Sequence, residues 1–141
     1  MTTKPAPITQ PVLDDNGLPT LPWTLFFNQN YNGDAGTAWS PTFTSLTGST
    51  TSVTGRYYRL SQYLVYFVIN VTPSGATTST AGTTYIGNFP LTFNGNGFNT
   101  VVSGAAGGAI GMNRASDNRI YVPAWTSVSV PLTIMGMGEA R

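Results

Sequence analysis

The sequence predicts an all-β fold: an antiparallel β-sandwich, jelly-roll-like, preceded by an extended proline-rich N-terminal arm. Short runs of β-branched and aromatic residues recur along the chain, each bounded by Gly, Pro, Asn or Ser. No segment combines helical periodicity with capping residues. Only 8% of the residues are charged, against roughly 25% in a typical soluble domain. Thr, Ser, Asn and Gly carry the polar character instead.

Taken in order, residues 1–22 hold Pro5, Pro7, Pro11, Pro19 and Pro22. Proline lacks a backbone donor and fixes φ, so this segment is expected to be an extended docking arm. "DDNG" at Asp14–Gly17 reads as a tight turn within it. Residues 23–141 are expected to form the sandwich domain. It opens on "PWTLFF", with Trp23, Phe26 and Phe27 forming a first strand or an anchor. "NQNYNGDAG" is a loop by composition, and "TAWSPTFTSLTG" alternates Trp39, Phe43 and Leu46 among small polar residues. "TTYIGNFPLTF", "FNTVVSGAAGGAIGMN" and "RIYVPAW" read as further short strands. "SVSVPLTIM" alternates at Val128, Val130, Leu132 and Ile134. "GAAGGAIG" has no large side chain to pack, so it is read as a loop or a close backbone approach.

"STTSVTGRYYRLSQYLVYFVINVTP" carries the strongest strand signal. Tyr63, Val65, Phe67, Ile69 and Val71 would line one face, and Leu64, Tyr66 and Val68 the other. Both faces are apolar, and no charge occurs between Arg59 and Arg114. A sandwich strand ordinarily keeps one wet face. The second face is therefore expected to be covered by another subunit, which makes Tyr66 and Val68 candidate interface residues.

Net charge is +1 with scattered basic residues, so nucleic acid is not an expected partner. There is no Cys and no His, which excludes disulfides, thiolate chemistry and imidazole metal sites. The run "YLVYFVI" is too short to span a bilayer, so membrane insertion is not expected, and the N-terminus reads as no signal peptide. Asp34 and Asp117 are the only acids in the domain body, and each lies in an ordinary turn sequence. "NYNGDAG" offers one carboxylate without EF-hand spacing, so no metal is expected there. No base stands ready to activate a hydroxyl, and no Gly-rich loop is followed by the Lys-Ser/Thr of a phosphate site. Neither catalysis nor a cofactor is expected. The remaining candidates are Trp39, Tyr121 and Trp125, aromatic residues able to stack on a sugar or anchor a partner. Taken singly, each is more often a core residue.

The stretch Pro7–Gln29 resembles the opening of bacteriophage tail and appendage proteins. Those proteins pair a Pro-rich arm with a "P-(I/V)-V-D-x-x-G-x-P-T" phrase and a "W-x-x-F-F" phrase. Here the phrases read Pro11, Val12, Leu13, Asp14, Gly17, Pro19 and Thr20, then Trp23, Phe26 and Phe27. Leu13 departs from the usual pattern. The body is similar to phage fibre and spike tip domains through Tyr57, Arg59, Leu60, Val65, Phe67 and Ile69. Ser61 stands where such domains carry Gly, and Phe89-Pro90-Leu91 supplies the later element. The resemblance implies a virion protein of tail, neck or capsid, assembled in the bacterial cytoplasm. It implies a homotrimer of jelly-roll-like domains whose arm docks on another virion protein through Pro11, Val12, Trp23, Phe26 and Phe27. A lectin-like tip that recognises host surface glycan, and a capsid decoration or head fibre, are the alternatives. An enzyme degrading surface polysaccharide comes last, for want of acid–base residues.

Overall fold

The computed structural model describes residues 36–103 and 109–141. The arm, residues 23–35, and the five candidate docking residues Pro11, Val12, Trp23, Phe26 and Phe27 lie outside the described residues, as does most of the Gly-Ala run.

The described residues are all-β and antiparallel, without a helix. The strands are β1 (Thr37–Trp39), β2 (Phe43–Thr44), β3 (Thr50–Arg59), β4 (Leu64–Pro73), β5 (Ala76–Ser79), β6 (Tyr85–Ile86), β7 (Gly97–Ser103), β8 (Ile110–Arg114), β9 (Arg119–Tyr121), β10 (Trp125–Val128) and β11 (Leu132–Glu139). Nine of them form one sheet in the order β1-β3-β4-β11-β7-β8-β9-β6-β2, and β5 pairs with β10 in a separate ribbon.

Two expected strands are broken in the structure. The run Thr50–Pro73 is a hairpin, β3–β4, with a turn at Leu60–Tyr63. Ser61 makes that turn: its hydroxyl accepts from the backbone N–H of Tyr63 and Leu64, and the N–H of Leu60 donates to Leu64 O. Side-chain capping of this kind competes with the ladder and ends a strand that propensity alone would continue. Tyr63 therefore leaves the buried face it was expected to share with Val65 and lies exposed, with the Arg141 guanidinium over its ring. The second break falls in "SVSVPLTIM". Ser129 adopts positive φ (56°), and Pro131 supplies no ladder donor. The chain changes face there, so Val128 and Val130 are exposed while Leu132 and Ile134 are fully buried.

The same break turns the β4–β11 pair into the β5–β10 ribbon. β4 ends at Pro73 and β5 begins at Ala76, opposite the Ser129–Pro131 break, and Ser129 N donates to Gly75 O across the bend. Trp125 at the start of β10 then enters the core. Buried hydroxyls bind the corners. Thr77 donates to Ser49 O, Ser79 to Pro123 O, and Thr84 to Ser45 O. These buried hydroxyls find backbone acceptors without the desolvation cost of ions. That is one structural use of this low-charge composition.

The sheet curls into a half-barrel around Val65, Phe67, Ile69, Val71, Ile86, Ile120, Val101 and Ile134. Curling brings the two edge strands together. β1 and β2 occupy opposite ends of the strand order, yet only Ser40–Thr42 separates them in sequence. Asn88, just after β6, holds this corner: its Nδ2 donates to Ser40 O at 2.8 Å and its Oδ1 accepts from Thr42 N at 3.0 Å. Trp39 of β1 meets Phe89 across the core with ring centroids 5.3 Å apart. Glycines make room for these rings. Gly136 of β11 is the ladder partner of Phe67, whose ring lies over it, and Gly55 of β3 sits beneath Trp39 in the same way.

Candidate subunit face and arginine–tyrosine site

The alternation of β4 separates its two faces. Val65, Phe67, Ile69 and Val71 are fully buried, whereas Tyr66 and Val68 on the outer face are half-buried and Leu64 is exposed. Within one chain, then, the outer face of β4 is only partly covered, and part of that cover comes from the neighbouring strand: Tyr58 of β3 rests beside Tyr66 with centroids 5.9 Å apart.

Following the ladder from Tyr66 exposes a pattern that no single strand reveals. Tyr58, Tyr66, Met137, Phe98, Met112, Tyr121 and Tyr85 are successive Cα partners across β3, β4, β11, β7, β8, β9 and β6. This outer row contains only aromatic residues and methionine. A second row, Arg56, Val68, Met135, Thr100 and Ile110, runs beside it. Phe98 is 56% exposed, Met112 45% and Ile110 75%. The residues come from segments scattered between Arg56 and Met137, so their alignment depends on register. The alternating "MGMG" at Met135–Gly138 was the one local signal: methionine outward, glycine beneath the core rings.

One end of the main row meets a charged cluster. Arg114 and Arg119 are direct ladder partners on β8 and β9. Like charges placed opposite each other destabilise a sheet, so neighbouring groups must compensate. Asp117, in the β8–β9 turn, accepts a hydrogen bond from Arg114 Nη2 and forms an ion pair with Arg119 at 3.6 Å. The Tyr121 hydroxyl donates to Asp117 Oδ2 at 2.8 Å and accepts from Arg114 and from Arg119. The Arg114 guanidinium lies 4.4 Å from the centroid of the Tyr121 ring, and that of Arg119 lies 4.1 Å from the centroid of Tyr85. Cation–π contact of this kind suits arginine's weakly hydrated plane.

These contacts hold the Asp117 carboxyl at about 2, against an ordinary 3.8. The Arg114 hydrogen bond is the main cause, and the Tyr121 hydroxyl and both arginine charges add to it against the opposing effect of partial burial. Two guanidiniums and one carboxylate leave the cluster with a surplus positive charge. A cavity of about 300 Å³ adjoins it, lined by Arg114, Tyr121, Met112, Ile110, Ala81 and Gly82 among others. A second concavity, of about 470 Å³, lies beside Trp39, Arg56 and Tyr58.

The three candidate ligand-contact residues part company here. Trp125 is 3% exposed and belongs to the core, so its ring offers no surface for stacking. Trp39 is half-buried and packs edge-on against Phe67 and Phe89. Tyr121 has a buried ring, but its hydroxyl organises the arginine cluster and it lines the smaller cavity. Arg114 and Arg119 were not singled out from sequence, because "NRASDNRIY" reads as a turn with scattered charges. Only the hairpin register shows that the two arginines face each other. Among the described residues no three Asp or Glu side chains converge as a metal site would require. No family model, curated protein or solved structure matches the chain.

Proposed function

We propose that the chain is a structural protein of a bacteriophage virion, a tail or neck appendage or fibre component. In this reading it assembles as a homotrimer and docks on another virion protein through residues 1–22, with Pro11 and Val12 in that arm and Trp23, Phe26 and Phe27 just beyond it. In the same reading the half-barrel corresponds to the jelly-roll-like sandwich of a fibre or appendage domain, with Phe67 and Ile120 in its shared core. The observation that carries the reading is the outer row of aromatic and methionine side chains, with Tyr66 and Val68 near its centre. Contiguous exposed apolar patches on a single chain mark interaction sites when they are large, and Tyr, Phe and Met are among the residues enriched in interface cores. Low charge agrees with life inside an assembly, where a free monomer would tend to self-associate.

Immunogold electron microscopy of purified phage particles, with antibody against this chain, tests the assignment. Label at a fixed place on the tail, neck or capsid is expected. Particles that carry none, while the same antibody detects free protein in the lysate, would remove the chain from the virion.

A further inference from the structure

The arginine–tyrosine cluster has a property that sheet stability does not require. Two like charges are held opposite each other on adjacent strands at a cost, yet the single carboxylate between them neutralises one charge only. Both guanidiniums remain accessible, with side-chain exposures of 41% for Arg114 and 39% for Arg119. Arg114 also lines the adjoining cavity, whose other walls are largely apolar: Met112, Ile110, Ala81 and Gly82.

We propose that this cavity binds a carboxylate-bearing sugar ring. The geometry selects that chemistry in three ways. Arg114 commits Nη2 to Asp117 and Tyr121, and its other terminal nitrogen, held on an aromatic face with the surplus positive charge, is left to meet a carboxylate. The apolar wall formed by Met112 and Ile110 suits the C–H face of a ring, which a bare inorganic anion would not use. The volume, about 300 Å³, is at the small end of ligand sites and admits about one ring. Asp117 and Tyr121 are positioning residues here: their hydrogen bonds fix the plane of Arg114. The cavity is built by one chain, and because Met112 and Ile110 also lie on the outer rows of the proposed subunit face, it is open in the unassembled chain.

Calorimetric titration of the full chain with glucuronate, glucose and N-acetylglutamate at about 20 mM salt, where screening is weak, tests the proposal. Glucuronate is expected to bind saturably, and each of the other two at least about tenfold more weakly. Arg114→Gln removes the guanidinium charge and should weaken glucuronate by at least about tenfold. Because that change also disturbs Asp117, Ala81→Glu serves as the second variant. It places a negative charge on the cavity wall at an exposed turn position outside the outer rows, and it should weaken binding as much without shifting the melting temperature. Glucose binding as tightly as glucuronate overturns the carboxylate assignment. N-acetylglutamate binding equally well overturns the sugar assignment in favour of a bare carboxylate. Parental binding by a folded Ala81→Glu variant removes the ligand from this cavity.

Discussion

A methyl group on Gly136 would sit 2.2 Å from Phe67 Cζ and 2.8 Å from Asn99 Cβ. Both neighbours are fully buried, so neither can retreat without moving others. Gly136→Ala is therefore expected to destabilise the fold by about 1–3 kcal/mol through overpacking. The reverse experiment, Phe67→Ala, empties the same place and should cost about 3–5 kcal/mol. Denaturant melts of both variants check the pair, and parental stability for Gly136→Ala would show that the ring is not seated on the glycine. Asp117 gives a pH signature at the same scale. Its folded carboxyl ionises at about 2 and its unperturbed value is 3.8. Ionisation therefore stabilises the folded state above roughly pH 4, and that contribution is lost as pH falls toward 2. Asp117→Asn lacks this dependence. Melting temperatures measured from pH 5 to pH 2 should fall more steeply for the parent than for the variant, and parallel curves would count against the Arg114 pairing.

At the scale of strands, the Asn88 corner is a solvent-exposed joint held by side-chain hydrogen bonds. Its amide bridges the Ser40 carbonyl and the Thr42 N–H, which are the only residues flanking Pro41 between β1 and β2. Asn88→Ala is expected to cost about 0.5–1.5 kcal/mol, the usual net worth of such bonds. It should also raise amide exchange at Thr42 while leaving Phe67 protected, since local opening differs from global unfolding. Exchange at Thr42 unchanged by the substitution would show that Pro41 packing alone holds the corner. Strand content was legible in the sequence wherever alternation was strong, as in Val65–Val71, and the buried set of β4 is the one its odd positions name. The breaks were not legible. Ser61 and Ser129 end strands by local hydrogen bonding and by positive φ, and neither changes the apolar pattern around it. The Arg114–Arg119 pairing was hidden for a related reason. It is a property of the β8–β9 register, which the spacing of the two residues does not reveal.

On the whole molecule, the outer row decides between a monomer and an assembly. Tyr66 pairs with Met137 and rests on Tyr58, half-buried in the single chain. If a second subunit covers this face, the stability lost in Tyr66→Ala grows on dilution, because association adds stability by mass action. Thermal melts over about a hundredfold range of protein concentration, read beside sedimentation of the parent, are expected to show this dependence and a trimer. A concentration-independent loss together with a sedimenting monomer would assign Tyr66 to the chain's own packing. Phe98→Lys provides a sharper version. Phe98 is exposed in one chain, so a charge there should leave the folded monomer intact and abolish assembly.

The meeting of β1 and β2 has a consequence for solubility. A sheet grows into fibrils by adding strands at its free edges, and a chain this poor in charge has few of the lysines or glutamates that usually guard them. Here the two edges are three and two residues long, and the chain itself ties them together at Ser40–Thr42. At this seam an incoming strand finds little unpaired backbone to template on. Protection against cross-β growth is written there into connectivity, while the outer face carries aromatic side chains suited to lateral association.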